Sequence, residues 1–237
     1  MNLRRRLLLL APIVIALASP AYAQAVSQSG VADVVHTGVV LAFMAILPSI
    51  IIAMTGFTRI VIVLSMVRHA FGMPETPPNS VLVSLALFLT MFSMGPVASE
   101  LNANALQPYL DGRIVLAEAM DRGETPLRAF MLAQTRDDDI AAIYRIARTP
   151  LPARPDQVEL LKLVPAFMIN ELRVSFTIGF VILLPFLLID LVVSAILLAL
   201  GMMMVPPTTI SLPIKLLMFV LIDGWSLIIT GVTGSFR

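Results

Sequence analysis

Residues 174–207 read VSFTIGFVILLPFLLIDLVVSAILLALGMMMVPP, and this stretch decides the fold. Its one ionisable residue is Asp190. A helix crossing a bilayer core needs roughly 20 apolar residues, so the run exceeds one crossing. The surplus predicts tilt, a kink at Pro185, or burial against other helices. The run closes on Gly201, Met202, Met203, Met204, Val205, Pro206 and Pro207. Two prolines after a glycine cannot continue a helix, so the chain must turn there. Residues 210–233 are apolar again and run back. The pattern predicts an apolar helical hairpin with a methionine-rich tip.

The composition extends that reading to the whole chain. Of 237 residues, 58% are hydrophobic and 13% charged, and the mean hydropathy is +0.93. Soluble domains carry about 25% charged residues. One small soluble core cannot hide this much apolar surface, so lipid or a large assembly must cover it. A net charge of +1 offers nothing to nucleic acid. With no cysteine there is no disulfide or thiol chemistry, and with two histidines, His36 and His69, a histidine metal site is not expected.

The first residues have the form of an address. Arg4, Arg5 and Arg6 make a basic start, residues 7–18 a short apolar run, and Ala21-Tyr22-Ala23 a small-x-small cleavage site before Gln24. Residues 1–23 are therefore expected to be a signal peptide, the alternative being an uncleaved anchor helix. Residues 24–33 are polar and small, a flexible lead-in. An apolar helix over 38–54 follows, interrupted by Gly56, Thr58 and Arg59 and resuming over 60–67. Gly72, Pro74, Pro77 and Pro78 turn the chain, and Asn79 with Ser80 opens a helix over 81–97. Residues 24–98 thus form a first apolar hairpin and 164–237 a second.

Residues 99–163 are a different material, holding more than half of the chain's charged residues. Thr125-Pro126 has the form of a helix start, with threonine as cap and proline first. Asp137, Asp138 and Asp139 precede Ile140, Ile143 and Tyr144, an amphipathic helix with solvated acids at its positive end. A helix starting near Gln157 continues into the second hairpin. The fold class expected is all-α: two apolar hairpins with proline and methionine tips, and a small helical domain. A cleaved signal peptide would place that domain outside the cytoplasm and both tips on the cytoplasmic side.

No nucleophile motif, phosphate loop or metal motif occurs, so no catalytic, cofactor-binding or metal residue is assigned. Two readings stay open for Asp190 and Asp223. They are either an ion-coupling pair of a secondary transporter or structural partners of Arg59, Arg173 or Lys215. Two also stay open for Met202, Met203 and Met204. Three consecutive helical side chains point in different directions, which suits a deformable apolar ring; the alternative is ordinary gap-filling.

Residues 170–225 read NELRVSFTIGFVILLPFLLIDLVVSAILLALGMMMVPPTTISLPIKLLMFVLIDGW, and 57–97 read FTRIVIVLSMVRHAFGMPETPPNSVLVSLALFLTMFSMGPV. Together with PLRAFMLAQTR at 126–136, these closely resemble the FliP family of flagellar type III export-gate proteins, counterparts of the injectisome SctR proteins. His69 stands where the family pattern has asparagine. The resemblance implies a non-enzymatic pore subunit of the inner membrane, at the flagellar basal body or injectisome base, without cofactors. It implies a ring of five copies joined by FliQ-like and FliR-like subunits, passing unfolded polypeptides within a larger export apparatus. It implies apolar hairpins covered by protein as much as by lipid. It assigns a pore gasket to Met202, Met203 and Met204. Arg59, Glu171, Arg173, Asp190, Lys215 and Asp223 are expected to be buried polar or assembly residues.

Overall fold

A computed structural model describes residues 28–73 and 75–236. The expected signal peptide lies outside the described residues. No strand occurs among them, and the chain is all-α as expected. It divides into two compact units between Ile50 and Ile51.

Residues 28–50 of helix α1 (Gln28–Met54) make up the described part of the first unit. It begins ten residues before Gly38, so residues 28–33 are helical and not the flexible lead-in expected from their polarity. Val39, Leu41, Met44 and Ile46 are exposed along it. Among the described residues, two helices are long and apolar enough to cross a membrane: residues 37–54 of α1, and α8, described below.

In the second unit, helix α2 (Phe57–Ala70) follows a break at Thr55-Gly56. Phe57, Ile60, Val63, Leu64 and Val67 recur at helical spacing and are all buried, so one face of α2 is core. Gly72, at φ 75°, turns the chain, and α3 (Asn79–Ser93) returns with Leu82, Ala86 and Leu89 buried against α2. The expected helix over 81–97 does not run through. It breaks at Met94 and bends by 62° into α4 (Gly95–Leu101). Pro96 has no N–H to give, and its ring would crowd the Phe92 carbonyl one turn earlier. A π-helical turn (Asn102–Leu106) and the short α5 (Gln107–Leu110) complete this arm.

The small domain is built on α6 (Leu116–Gln134) and α7 (Asp137–Ile146). Thr125-Pro126 is not a helix start: it sits mid-way along α6, which begins nine residues earlier after the extended Val115. Pro126 forfeits one backbone bond to the Arg122 carbonyl. The helix continues because Pro126, Phe130, Met131 and Gln134 are buried along one side, and Glu118–Arg122 and Glu124–Arg128 pair one turn apart on the other.

Helix α8 (Leu160–Ala199) has 40 residues, hence a length of about 60 Å at 1.5 Å per residue. Its capping residue, Glu159, is extended, and the Glu159 N–H donates to the Tyr144 hydroxyl at 3.0 Å. It passes without interruption from the small domain into the second hairpin, with Pro165 and Pro185 inside it. Its most extensive packing is against α2. The return arm is not one helix but two: α9 (Pro207–Leu221) and α10 (Gly224–Thr233), meeting at 66°. Asp223, at φ 49°, turns the chain there. Gly224 presses so closely on the Phe219 ring that a Cβ would collide with it. Phe71, Phe186, Phe219, Ile228 and Val232 join the α2–α3 core. If each bent pair counts as one crossing, four segments among the described residues are long and apolar enough to span a membrane.

Candidate functional site

Three features gather the polar and methionine residues singled out in the sequence: the tip of the second hairpin and two buried ion pairs.

Helix α8 ends in a tight backbone lock. Gly201 adopts φ 74°, its N–H donates to the Leu198 carbonyl at 3.0 Å, and the Met202 N–H reaches back to the Leu197 carbonyl at 2.9 Å. This pair of bonds satisfies carbonyls that a helix end leaves open and requires a residue at ease with positive φ. Pro206 is extended and Pro207 is the first residue of α9, where a missing N–H does no harm. Between these stops stand Met202, Met203 and Met204, 43%, 80% and 97% exposed. The chain's own core takes up little of Met203 and almost none of Met204.

Below the tip, the Lys215 ammonium is buried and donates to Asp190 Oδ2 at 2.7 Å and to the Ala70 carbonyl at 3.1 Å. One cation thus ties α8, α9 and the end of α2. Three rings pack beside it: Phe71 meets Phe219 edge-on at 4.8 Å and Phe186 at 5.3 Å. Asp190 therefore has its expected partner. Asp223 does not: it is exposed at the α9–α10 bend, and its carboxylate has no hydrogen bond or ion pair among the described residues.

The second ion pair lies at the other end of α2. Arg59 is 1% exposed and Glu171 not at all. All five guanidinium donors are used. Nε donates to Glu171 Oε2 at 2.8 Å, and Nη2 to Glu171 Oε1 and to Gln134 Oε1. Nη1 donates to the carbonyl and the hydroxyl of Ser235, both at 2.9 Å. Asn170 Nδ2 donates to the Gln134 carbonyl at 2.6 Å. A buried charge is tolerated only when paired and fully hydrogen-bonded, and this one is. Arg173 is exposed but makes a two-pronged pair with buried Asp139, at 2.6 and 2.7 Å. The three acids of α7 are thus not all solvated; Asp139 fastens α7 to α8.

Gln134, Asn170, Ser235 and Phe236 belong to the Arg59 cluster and were not singled out in the sequence. The available signal was a polar residue at a helical core position: Gln134 follows Phe130 and Met131 on the buried side of α6.

Among the described residues these features define a helical protein with an extensive apolar exterior and few buried charges, each paired with an opposite charge. The model of the FliP family matches residues 40–232. The flagellar biosynthetic protein FliP of Pectobacterium carotovorum subsp. carotovorum is 49% identical over 202 residues, 85% of this chain and 78% of that protein. FliP of Bacillus subtilis is 47% identical over 206 residues, covering 87% and 93%. FliP of Aquifex aeolicus is 40% identical over 214 residues, 90% of each. The chain belongs to the FliP family, a family of the flagellar biosynthesis export apparatus.

Proposed function

We propose that this protein is a pore-forming subunit of the flagellar export gate, passing unfolded polypeptides across the inner membrane. In this reading copies of the chain form a ring, five by the family pattern, together with FliQ-like and FliR-like subunits. The small domain, residues 99–163, faces the periplasm. The relatives named are flagellar, which favours the flagellum over the injectisome.

One observation carries the reading: of three consecutive methionines at a tip with a locked backbone, Met202 is half-covered and Met203 and Met204 stand nearly bare. A fold that fixes a turn and leaves its apolar side chains uncovered offers them to something outside itself. Methionine is unbranched and polarizable, so a ring of methionines closes by apolar contact and repacks around an irregular chain. β-Branched side chains, stiff at χ1, would fit one shape only. The ion-coupled transporter reading needs a carboxylate free to exchange ions within the apolar segments. Asp190 is engaged by Lys215, which speaks against that use.

The test is the variant with Met202, Met203 and Met204 all changed to Ala. The tip side chains make little of the core, so the complex should assemble; the lost bulk should let small ions leak. Conductance is measured across membranes carrying the complex. An assembled variant that stays ion-tight removes the gasket role.

A further inference from the structure

Helix α10 is held at its two ends by unlike devices. At its start Asp223 takes a left-handed backbone, φ 49°, where α9 and α10 meet at 66°. A residue with a Cβ adopts this conformation reluctantly, and a bend confined to one or two residues is how chains hinge.

At its far end the chain folds onto α2. The Ser235 hydroxyl donates to the Val232 carbonyl at 2.6 Å while accepting from Arg59, so the residue is locked to α10 and to α2 together. The guanidinium carbon of Arg59 lies 4.1 Å from the centre of the Phe236 ring, within reach of a cation–π contact. The same ring fills the space over Gly56, where a Cβ would collide with it. Gly56 has an ordinary φ of −68°, so its backbone does not demand glycine; the ring does.

Between these ends α10 buries only Gly224, Ile228 and Val232. It walls an apolar groove of about 430 Å³ with α8 and α9, lined among others by Pro185, Phe186, Phe219, Leu227, Ile228 and Gly231. A helix with so short a buried stripe depends heavily on what fastens its ends.

We propose that α10 is a hinged wall of this groove, turning at Asp223 and latched by Ser235 and Phe236 onto Arg59 and Gly56. The latch is made of the Ser235 carbonyl and hydroxyl, one aromatic ring, one guanidinium and one glycine, and the groove widens when the ring leaves Gly56. This inference is independent of the pore reading.

Amide exchange followed by mass spectrometry on the full chain in detergent tests it. Phe236→Ala should speed exchange of the amides of α10 on the order of tenfold or more, since truncating a packed aromatic lowers the local opening free energy by at least that ratio. Exchange in α8, and in α2 beyond its first turn, should stay as it was. Gly56→Ala, which expels the ring, should give the same local signature. The double variant should exchange no faster than Phe236→Ala alone, because the ring that the added methyl would displace is already gone. Phe236→Leu serves as the milder variant if Phe236→Ala does not purify, with a smaller effect in the same helix. The proposal is overturned by α10 exchange unchanged in these variants, by faster exchange spread over α2 and α8, or by Gly56→Ala and Phe236→Ala effects that multiply in full.

Discussion

The Lys215 ammonium lies 2.7 Å from one Asp190 oxygen, yet the two partners differ in shelter: the Lys215 side chain is 5% exposed and that of Asp190 34%. The cation is the group that cannot reach water if its partner is lost. Its third-party bond, to the Ala70 carbonyl, joins the two hairpins through a single atom.

Removing the carboxylate should therefore harm the fold more than removing the amine. Asp190→Asn leaves a buried ammonium without a counter-charge, whereas Lys215→Met leaves a carboxylate on a side chain that is a third exposed. Breaking a buried pair costs about 3–5 kcal/mol, and the partial exposure of Asp190 brings this down to about 1–3 kcal/mol. Thermal unfolding in detergent should rank Lys215→Met above Asp190→Asn in stability. The reverse order would refute the argument from unequal burial.

Arg59 should not be replaceable by lysine. Its planar fork serves acceptors on α6, α8 and the segment after α10 at once, and an ammonium with three donors cannot reach all of them. Arg59→Lys should lose most of the stability lost by Arg59→Ala, on the order of 3 kcal/mol or more. A lysine variant that unfolds at the wild-type temperature would show that charge alone suffices.

Gly201 should resist substitution for a backbone reason. At φ 74° any Cβ is strained, so Gly201→Ala should cost about 1–2 kcal/mol, and Gly201→Asn less. Limited proteolysis at the tip checks the order: cleavage should rise more for alanine than for asparagine. Equal cleavage of both would mean that the turn relaxes without this conformation.

Asp139→Asn should loosen α7 from α8 while leaving the hairpins intact. Among the described residues, the two-pronged bond to Arg173 is what ties that buried carboxylate. Amide exchange should increase in α7 and not in α2. A uniform increase would argue against a local fastening.

The hairpins were legible because their signals are local and strong: long apolar runs, and Gly-Pro punctuation at the tips. The partner of Asp190 was legible because few cations lie within apolar sequence. The breaks at Met94 and Asp223 were harder to read. Pro96 marks the first only if one asks which carbonyl its ring would meet, and the sign of the second, the Asp223-Gly224 turn dipeptide, is easily passed over within an apolar run. Pro126 misled in the opposite sense. A proline after threonine has the form of a start, and burial of its neighbours overrode that preference. The Arg59 cluster was legible only in part: the resemblance marked Arg59 and Glu171 as buried polar residues, not their pairing or their company. Its acceptors come from positions 134, 171 and 235, and only the folded chain brings them to one guanidinium.

Helix α8 bears on how distant parts of this protein communicate. One uninterrupted rod carries Glu171 near one end and stops at the methionine turn at the other. Its packing on α2, and the bonds of Glu171 and Asp190 to Arg59 and Lys215, stop it from turning alone. A push on the small domain would thus carry the methionine turn along with α2 and α9, as one arm of a lever.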